Sequence, residues 1–238
     1  RAFVDPPTTS VAVSRTRPRS TMSRVAVAIA ARIRLRAAST PVGSVDHPVN
    51  PLDPYGASKH HVEHYLYLYH YNYGLEYTIL RYPNVFGPRQ DPHGEAGVVA
   101  IFTGQMLAGG QPVINGTGGQ ERDFVYVSDV ARANLIATER GDRGTYNIGS
   151  GAGTSVNQIY DRLAALTGYT APPVHGPGKQ GEVFKIYLDA TRARRELGWA
   201  PQVPLDDGLA RTVAFFKESL FVSPSVPGRM EGRSGEAL

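Results

Sequence analysis

A chain of 238 residues without cysteine is long enough for one substantial core and excludes disulfides and thiolate metal sites, so a reducing, cytoplasmic compartment is the expected setting. No apolar run approaches the ~20 residues of a membrane span and no secretory leader pattern is expected, which leaves no membrane partner. The net charge of +4 suggests a nucleic-acid binder only until it is located: residues 1 to 45 hold eight arginines against one acid, a balance of +7, which leaves −3 for residues 46 to 238.

That basic segment has a single candidate strand, Val25 to Ile29, and little other periodicity. It is expected to be irregular. Its Arg- and Ser-rich, acid-poor composition resembles a transit segment or a nucleic-acid arm, and it also fits a stretch joined ahead of a domain from another reading frame. No nucleic-acid partner is expected of the rest.

From Asp46 onward strand-like and helix-like segments alternate, the mark of an α/β fold with parallel strands. Pro54 suits a first helical position, and a helix is expected from Tyr55 to about Tyr73, ended by Gly74. Tyrosines at 65, 67, 69, 71 and 73 repeat with a period of two. On a helix, at ~100° per residue, they spread around the cylinder, as expected if it is covered on several sides. "EYTILRY" reads as a buried strand, "NVFGPRQDP" as a loop, Val98 to Ala108 as a helix, "NGTGGQ" as a turn and "DFVYV" as a strand. Ser128 or Asp129 is expected to cap a helix running to about Thr138, and "GTYNIGS" to form another strand. Ser155 caps the helix "VNQIYDRLAAL" before Gly168; Asp189 and Gly198 bracket a short helix, and "DDGLARTVAFFKESL" forms the last. The tail from 221 to 238, poor in apolar residues, is expected to be disordered.

The chemistry concentrates near the start of the first long helix. Tyr55 and Lys59, at i and i+4, lie about 40° apart on one helical face. A phenol near pKa ~10 is a poor base, but an ammonium ~4 Å away at an effective dielectric of ~20 contributes roughly 4 kcal/mol, enough to bring a phenolate within reach of pH 7. His60, Glu63 and His64 satisfy the His-x-x-Glu-His pattern of certain zinc proteases. A third ligand is not identifiable, so a solvated histidine face is expected and no metal. Gly149, Gly151 and Gly153 imitate a dinucleotide loop, but the third glycine of G-x-G-x-x-G falls on Thr154, which leaves a strand-to-helix loop. Asn84 offers both a donor and an acceptor, and Arg122 a planar fork for phosphate.

"HPVNPLDPYGASK", "RYPNVFGPRQ", "RDFVYVSDVARA", "YNIGSG" and "DATRARRELGW", in this order and spacing, resemble the extended short-chain dehydrogenase/reductase family, specifically its NAD-dependent nucleotide-sugar epimerases and dehydratases. The likeness is nearest to the UDP-glucose 4-epimerase branch. It implies a Rossmann-type parallel sheet, incomplete here, with a smaller interleaved substrate-binding lobe: residues 46–92 and 124–153 in the NAD-binding part, 93–123 and 154–220 in the lobe. It implies that Tyr55 takes the proton of the sugar 4-hydroxyl while Lys59 lowers its pKa and contacts the nicotinamide ribose. Pro83 would lie beside the nicotinamide, Asn84 at the substrate diphosphate and Arg122 on a phosphate. Val113, Asn115 and Gln120 would line the nucleoside pocket. Lys179 and Glu182 stand where the family shows arginine and aspartate, and lysine keeps the charge but loses the fork. NAD is the implied cofactor, a UDP-sugar the implied substrate, and a homodimer through the Tyr55–Tyr73 helix the implied assembly.

The family's glycine-rich loop and catalytic Ser/Thr have no counterpart before Tyr55, where the latter position is Ala30, so an incomplete copy is expected. A dehydratase or a non-catalytic sugar-nucleotide binder are the alternatives. An open, apolar sheet edge, weak NAD binding and a tendency to aggregate follow from that expectation.

Overall fold

The computed structural model describes residues 24–29, 42–46, 54–93, 97–178 and 184–222. Strand β1 (Arg24–Ile29) and the two-residue β2 (Val42–Gly43) precede helix α1 (Pro54–Tyr73), which ends at Gly74 with φ 68°. Strands β3 (Glu76–Arg81) and β4 (Asn84–Phe86), helix α2 (Val98–Leu107), and strands β5 (Val113–Asn115), β6 (Glu121–Arg122) and β7 (Phe124–Tyr126) follow. Helix α3 (Val127–Ala137) leads through β8 (Thr145–Asn147) and β9 (Thr154–Ser155) to helix α4 (Val156–Thr167). Strands β10 (Val174–Gly176) and β11 (Lys185–Leu188), a π-helical turn (Ala193–Leu197) and helix α5 (Leu205–Val222) complete the order.

Parallel pairing dominates, as the alternating pattern demands. β3 lies between β1 and β8, parallel to both, with Arg24 to Ile29 in register with Glu76 to Arg81, and Arg81 opposite Asn147. β4 pairs with β7, β5 with β10, and β11 with both β2 and β6, all parallel, while β9 joins β6 antiparallel. The strand expected at Val25 to Ile29 is thus present, and among the described residues β1 is an edge of its sheet.

Two apolar clusters hold these layers. One joins Leu80, Val125, Ala133, Ile148 and Trp199 between the sheet, α3 and the π-helical turn. The other joins Phe86, Phe102, Ile114, Tyr160, Leu163 and Leu209 among α2, α4 and α5. Trp199 is fully buried and donates from its indole nitrogen to the Asp129 carbonyl at 2.9 Å. Its chain segment therefore packs under α3, although it lies far along the sequence.

Several expectations need correction. Asn84–Phe86, read as loop, pairs with β7 as a strand. α3 begins at Val127 after Tyr126, with no side-chain cap. Ser128 and Asp129 sit inside its first turn, and the Asp129 carboxylate accepts from Gln202 N, Val203 N and Arg132 Nη2 instead. By contrast, Ser155 caps α4 in a reciprocal box with Gln158, and Gly168 closes it in the left-handed region, as the sequence requires. α5 continues through Val222, into the tail expected to be disordered, and residues 223–238 lie outside the described residues. The tyrosines of α1 are not covered among the described residues: Tyr65, Tyr67, Tyr69, Tyr71 and Tyr73 are all exposed.

Candidate active site

The site begins with the way α1 docks. Its inward face carries Val62, Glu63 and Leu66: Leu66 packs with Ile79 and Tyr77, and Glu63 receives a two-pronged hydrogen bond from Arg81, Nε to Oε1 at 2.8 Å and Nη2 to Oε2 at 2.7 Å. Arg81 also donates from Nη1 to the Val45 carbonyl at 3.2 Å, and its side chain is 6% exposed against 14% for Glu63. Such forks fix orientation as well as distance. Because Leu66 meets the middle of β3 and Glu63 its last residue, α1 runs antiparallel to β3. At ~1.5 Å per residue, Lys59 and Tyr55 are carried roughly 6 Å and 12 Å beyond Glu63, past the carboxyl end of the strand. The chain turns there through Pro83 into β4. Carboxyl ends of parallel strands are where open α/β sheets hold their ligands. Lys59 is half-buried, and Tyr55 belongs to α1 by its backbone, while its side chain lies outside the described residues.

Asn84 opens β4, and its amide donates to the Asp123 carbonyl at 3.0 Å. Asp123 directly follows Arg122, so this bond and the pairing of Asn84 with Phe124 set Asn84 against the chain just after Arg122, the other predicted phosphate contact, which itself lies on β6. Arg122 Nη1 donates to the carbonyls of Glu121 at 2.8 Å and Phe184 at 3.4 Å, which holds the guanidinium at the start of β11. Gln120 is buried, and its amide nitrogen donates to the Asn115 carbonyl at 2.9 Å. Its role is thus to set the turn that presents Asn115 and, at the start of β5, the exposed Val113. Lys179 and Glu182 lie outside the described residues. The chain enters their segment at Gly178, packed on Gly116, and leaves it at Phe184, whose carbonyl accepts from Glu121 N at 2.7 Å. Both flanks therefore border the turn that carries Asn115 and Gln120.

Asp123 escaped the sequence reading. Its carboxylate, 1% exposed, accepts from Ser150 N at 2.9 Å, Ser150 Oγ at 2.6 Å, Gly151 N at 3.1 Å and Leu188 N at 3.1 Å. Burial pushes its pKa above the ordinary carboxylate range, and the hydrogen bonds from Ser150, Leu188 and Gly151 pull it back. The knot ties the loop after β8 to β11 beside Arg122. Gly149 is required there by space: a Cβ would meet Asp123 Oδ2 at 2.6 Å and Leu188 Cβ at 2.7 Å. The glycines of "NIGSGAG" thus serve a strand-to-helix connection, as expected. The signal for Asp123 was present, an acid wedged between a phosphate-type arginine and an apolar strand, but its partners are distant in sequence.

Glu63 has a structural partner that its sequence neighbours do not show. In the His-x-x-Glu-His pattern it would be a general base, whereas both its oxygens are taken by Arg81.

The model of the NAD dependent epimerase/dehydratase family matches residues 23–149. The UDP-glucose 4-epimerase of Mycolicibacterium smegmatis is 45% identical over 175 residues, 73% of this chain and 56% of its own length. The chain belongs to the NAD-dependent epimerase/dehydratase family. Among solved structures, the Thermotoga maritima UDP-glucose 4-epimerase with UDP-glucose superposes with a TM-score of 0.80 at 46% identity, covering 83% of this chain and 64% of that one. A dTDP-glucose 4,6-dehydratase of Streptomyces griseus is 34% identical over 185 residues, 76% of this chain and 56% of its length. The chain spans about half the length of the curated relatives it matches. The family match begins at residue 23 and so takes in β1, inside the segment expected to be irregular and foreign to the domain. Pairing of β1 along the whole of β3 gives that stretch its place in the family's Rossmann-type sheet.

Proposed function

We propose that this chain acts as an NAD-dependent nucleotide-sugar 4-epimerase on UDP-glucose and UDP-galactose, in a cytoplasmic setting. The observation that supports the reading is the docking of α1: the Glu63–Arg81 fork and the Leu66–Ile79 contact direct the start of the helix, with Lys59 and Tyr55, past the carboxyl end of β3. In this reading Tyr55, as phenolate, accepts the proton of the sugar 4-hydroxyl and later returns it. Lys59 stabilises the phenolate with its positive charge, and its half-buried position makes that charge worth more than it would be in water. NAD, when bound, would supply a reversible hydride acceptor for sugar carbon 4. A lysine and a phenol at a parallel-sheet carboxyl end fit that cofactor, with Tyr55, Lys59 and Pro83 holding its nicotinamide side.

The substrate is held along the line from Asn84 to β5. Asn84 and Arg122 take the diphosphate; Val113, Asn115 and Gln120 form the nucleoside wall, and Lys179 and Glu182 add a phosphate and a ribose contact. Residues 46–92 and 124–153 make the cofactor half, and 93–123 and 154–220 the substrate half, with Trp199 returning into the first core. A second copy covers the exposed tyrosines of α1. Greater identity to a 4-epimerase than to a 4,6-dehydratase favours epimerisation over water loss.

The test is product analysis by proton NMR after incubation with UDP-glucose and NAD. UDP-galactose as the sole new sugar nucleotide supports the reading. A 4-keto-6-deoxy sugar supports the dehydratase, and bound UDP-glucose with no turnover supports a non-catalytic binder.

A further inference from the structure

The outer face of α1 carries a histidine pair that the reaction does not use. His60 and His64 are one turn apart, their Nε2 atoms are 3.1 Å apart, and their rings meet edge to face with centroids at 4.6 Å. His64 is exposed, and the His60 side chain is 25% exposed. The other nitrogen of His60, Nδ1, is buried with no hydrogen-bond partner among the described residues and faces Glu63 Oε2 at 3.8 Å. That carboxylate favours the tautomer with the proton on Nδ1, so Nε2 of His60 presents a lone pair outward. In the apo chain His64 can donate its Nε2 proton to that lone pair; a metal ion can replace the proton.

We infer that His60 and His64 form a two-point chelate for a divalent transition-metal ion of the nickel, copper or zinc class. Two imidazole nitrogens 3.1 Å apart each reach one ion at ~2.05–2.1 Å with a ligand–metal–ligand angle of about 95–98°, within the range such ions accept. The Glu63 carboxylate lies on the far side of His60 from His64, 3.8 Å from Nδ1 and beyond hydrogen-bond range, where Arg81 locks it in place. No set of three or more ligating side chains surrounds the pair among the described residues, so water completes the coordination shell. This site is distinct from the hydrolytic zinc centre of the sequence pattern: both Glu63 oxygens are held by Arg81, and Glu63 activates nothing.

Equilibrium dialysis of the untagged full chain against nickel chloride at about pH 7.5 tests the inference. One equivalent is expected to bind. His64→Ala, and the more conservative His64→Gln, should each weaken binding by at least the ~10-fold that loss of even an outer-shell partner costs. His61→Ala should leave it unchanged, since the His61 ring is turned to the Ala57 carbonyl. Helicity by circular dichroism confirms that the variants are folded. Absence of stoichiometric binding, or affinity within tenfold of wild type in both His64 variants, overturns the inference.

Discussion

A single carboxylate, Asp123, closes the loop after β8 onto β11 beside the arginine proposed to hold phosphate. Replacing it with alanine removes the acceptor for Ser150 N, Gly151 N and Leu188 N together. Destabilisation of about 2–4 kcal/mol is expected, since each buried amide left unpaired costs ~1–3 kcal/mol and water entering the vacated space recovers part of it. Urea unfolding of Asp123→Ala checks this, and a change below ~0.5 kcal/mol, ordinary for a surface site, would contradict it. At this scale the sequence is informative where chemistry is local. Tyr55 and Lys59 are proposed from their spacing, and Asn84 and Arg122 from residue type and motif. Asp123 is not, because one of its donors lies 65 residues away and nothing in the local string announces the contact. Glu63 misleads for a related reason: its nearest neighbours in sequence are histidines, while its partner in space is Arg81.

Docking of α1 on β3 depends on one buried ion pair over a small apolar contact. Glu63→Ala leaves the Arg81 guanidinium buried without its carboxylate and should cost about 3–5 kcal/mol, whereas Glu63→Leu with Arg81→Met should recover most of the loss. Denaturant midpoints of the three proteins decide, and a double variant no better than Glu63→Ala would show that the pair's charge was not the issue. The π-helical turn makes an opposite, exposed use of charge. Hydrogen bonds from Arg195 and then Arg192 lower the Glu196 pKa from its usual 4.5 to about 2. A depressed folded-state pKa contributes stability above the unfolded value and loses it as pH falls, so thermal stability should decline between pH 4.5 and about 2. Salt should blunt that decline, since the group is exposed. The Glu196→Gln variant should lack this component of the acid limb in melts across that range. Elements with strong local signals are readable: α4 has both caps, and α1 has Pro54 and Gly74. Short strands such as β4, β5 and β6 are not. Three residues or fewer carry no period, and only their partners make them strands.

The order of elements and the parallel sheet are both visible in the alternation of the sequence, and so is β1 as a candidate strand; its place beside β3 is not, because its arginine-rich surroundings set it apart from the domain it joins. The exposed tyrosine face of α1 makes sense at this scale. With Tyr65 at 61%, Tyr69 at 53% and Tyr73 at 77% exposure, a lone chain would carry an aromatic patch of the kind that marks an interface. A mass of two chains is expected by light scattering, falling to one in a Tyr65→Lys/Tyr69→Lys variant; a monomeric wild type would remove the proposed assembly. The central claim is that a phenol and an ammonium, one helical turn apart at the carboxyl end of β3, move the proton in C4 epimerisation. The most direct measurement is the rate of UDP-galactose formation from UDP-glucose at saturating NAD, comparing the wild-type chain with Tyr55→Phe. Loss of general-base catalysis predicts a fall of about 10²–10⁴-fold in Tyr55→Phe with fold and UDP-glucose binding retained. A variant as fast as wild type would contradict the account.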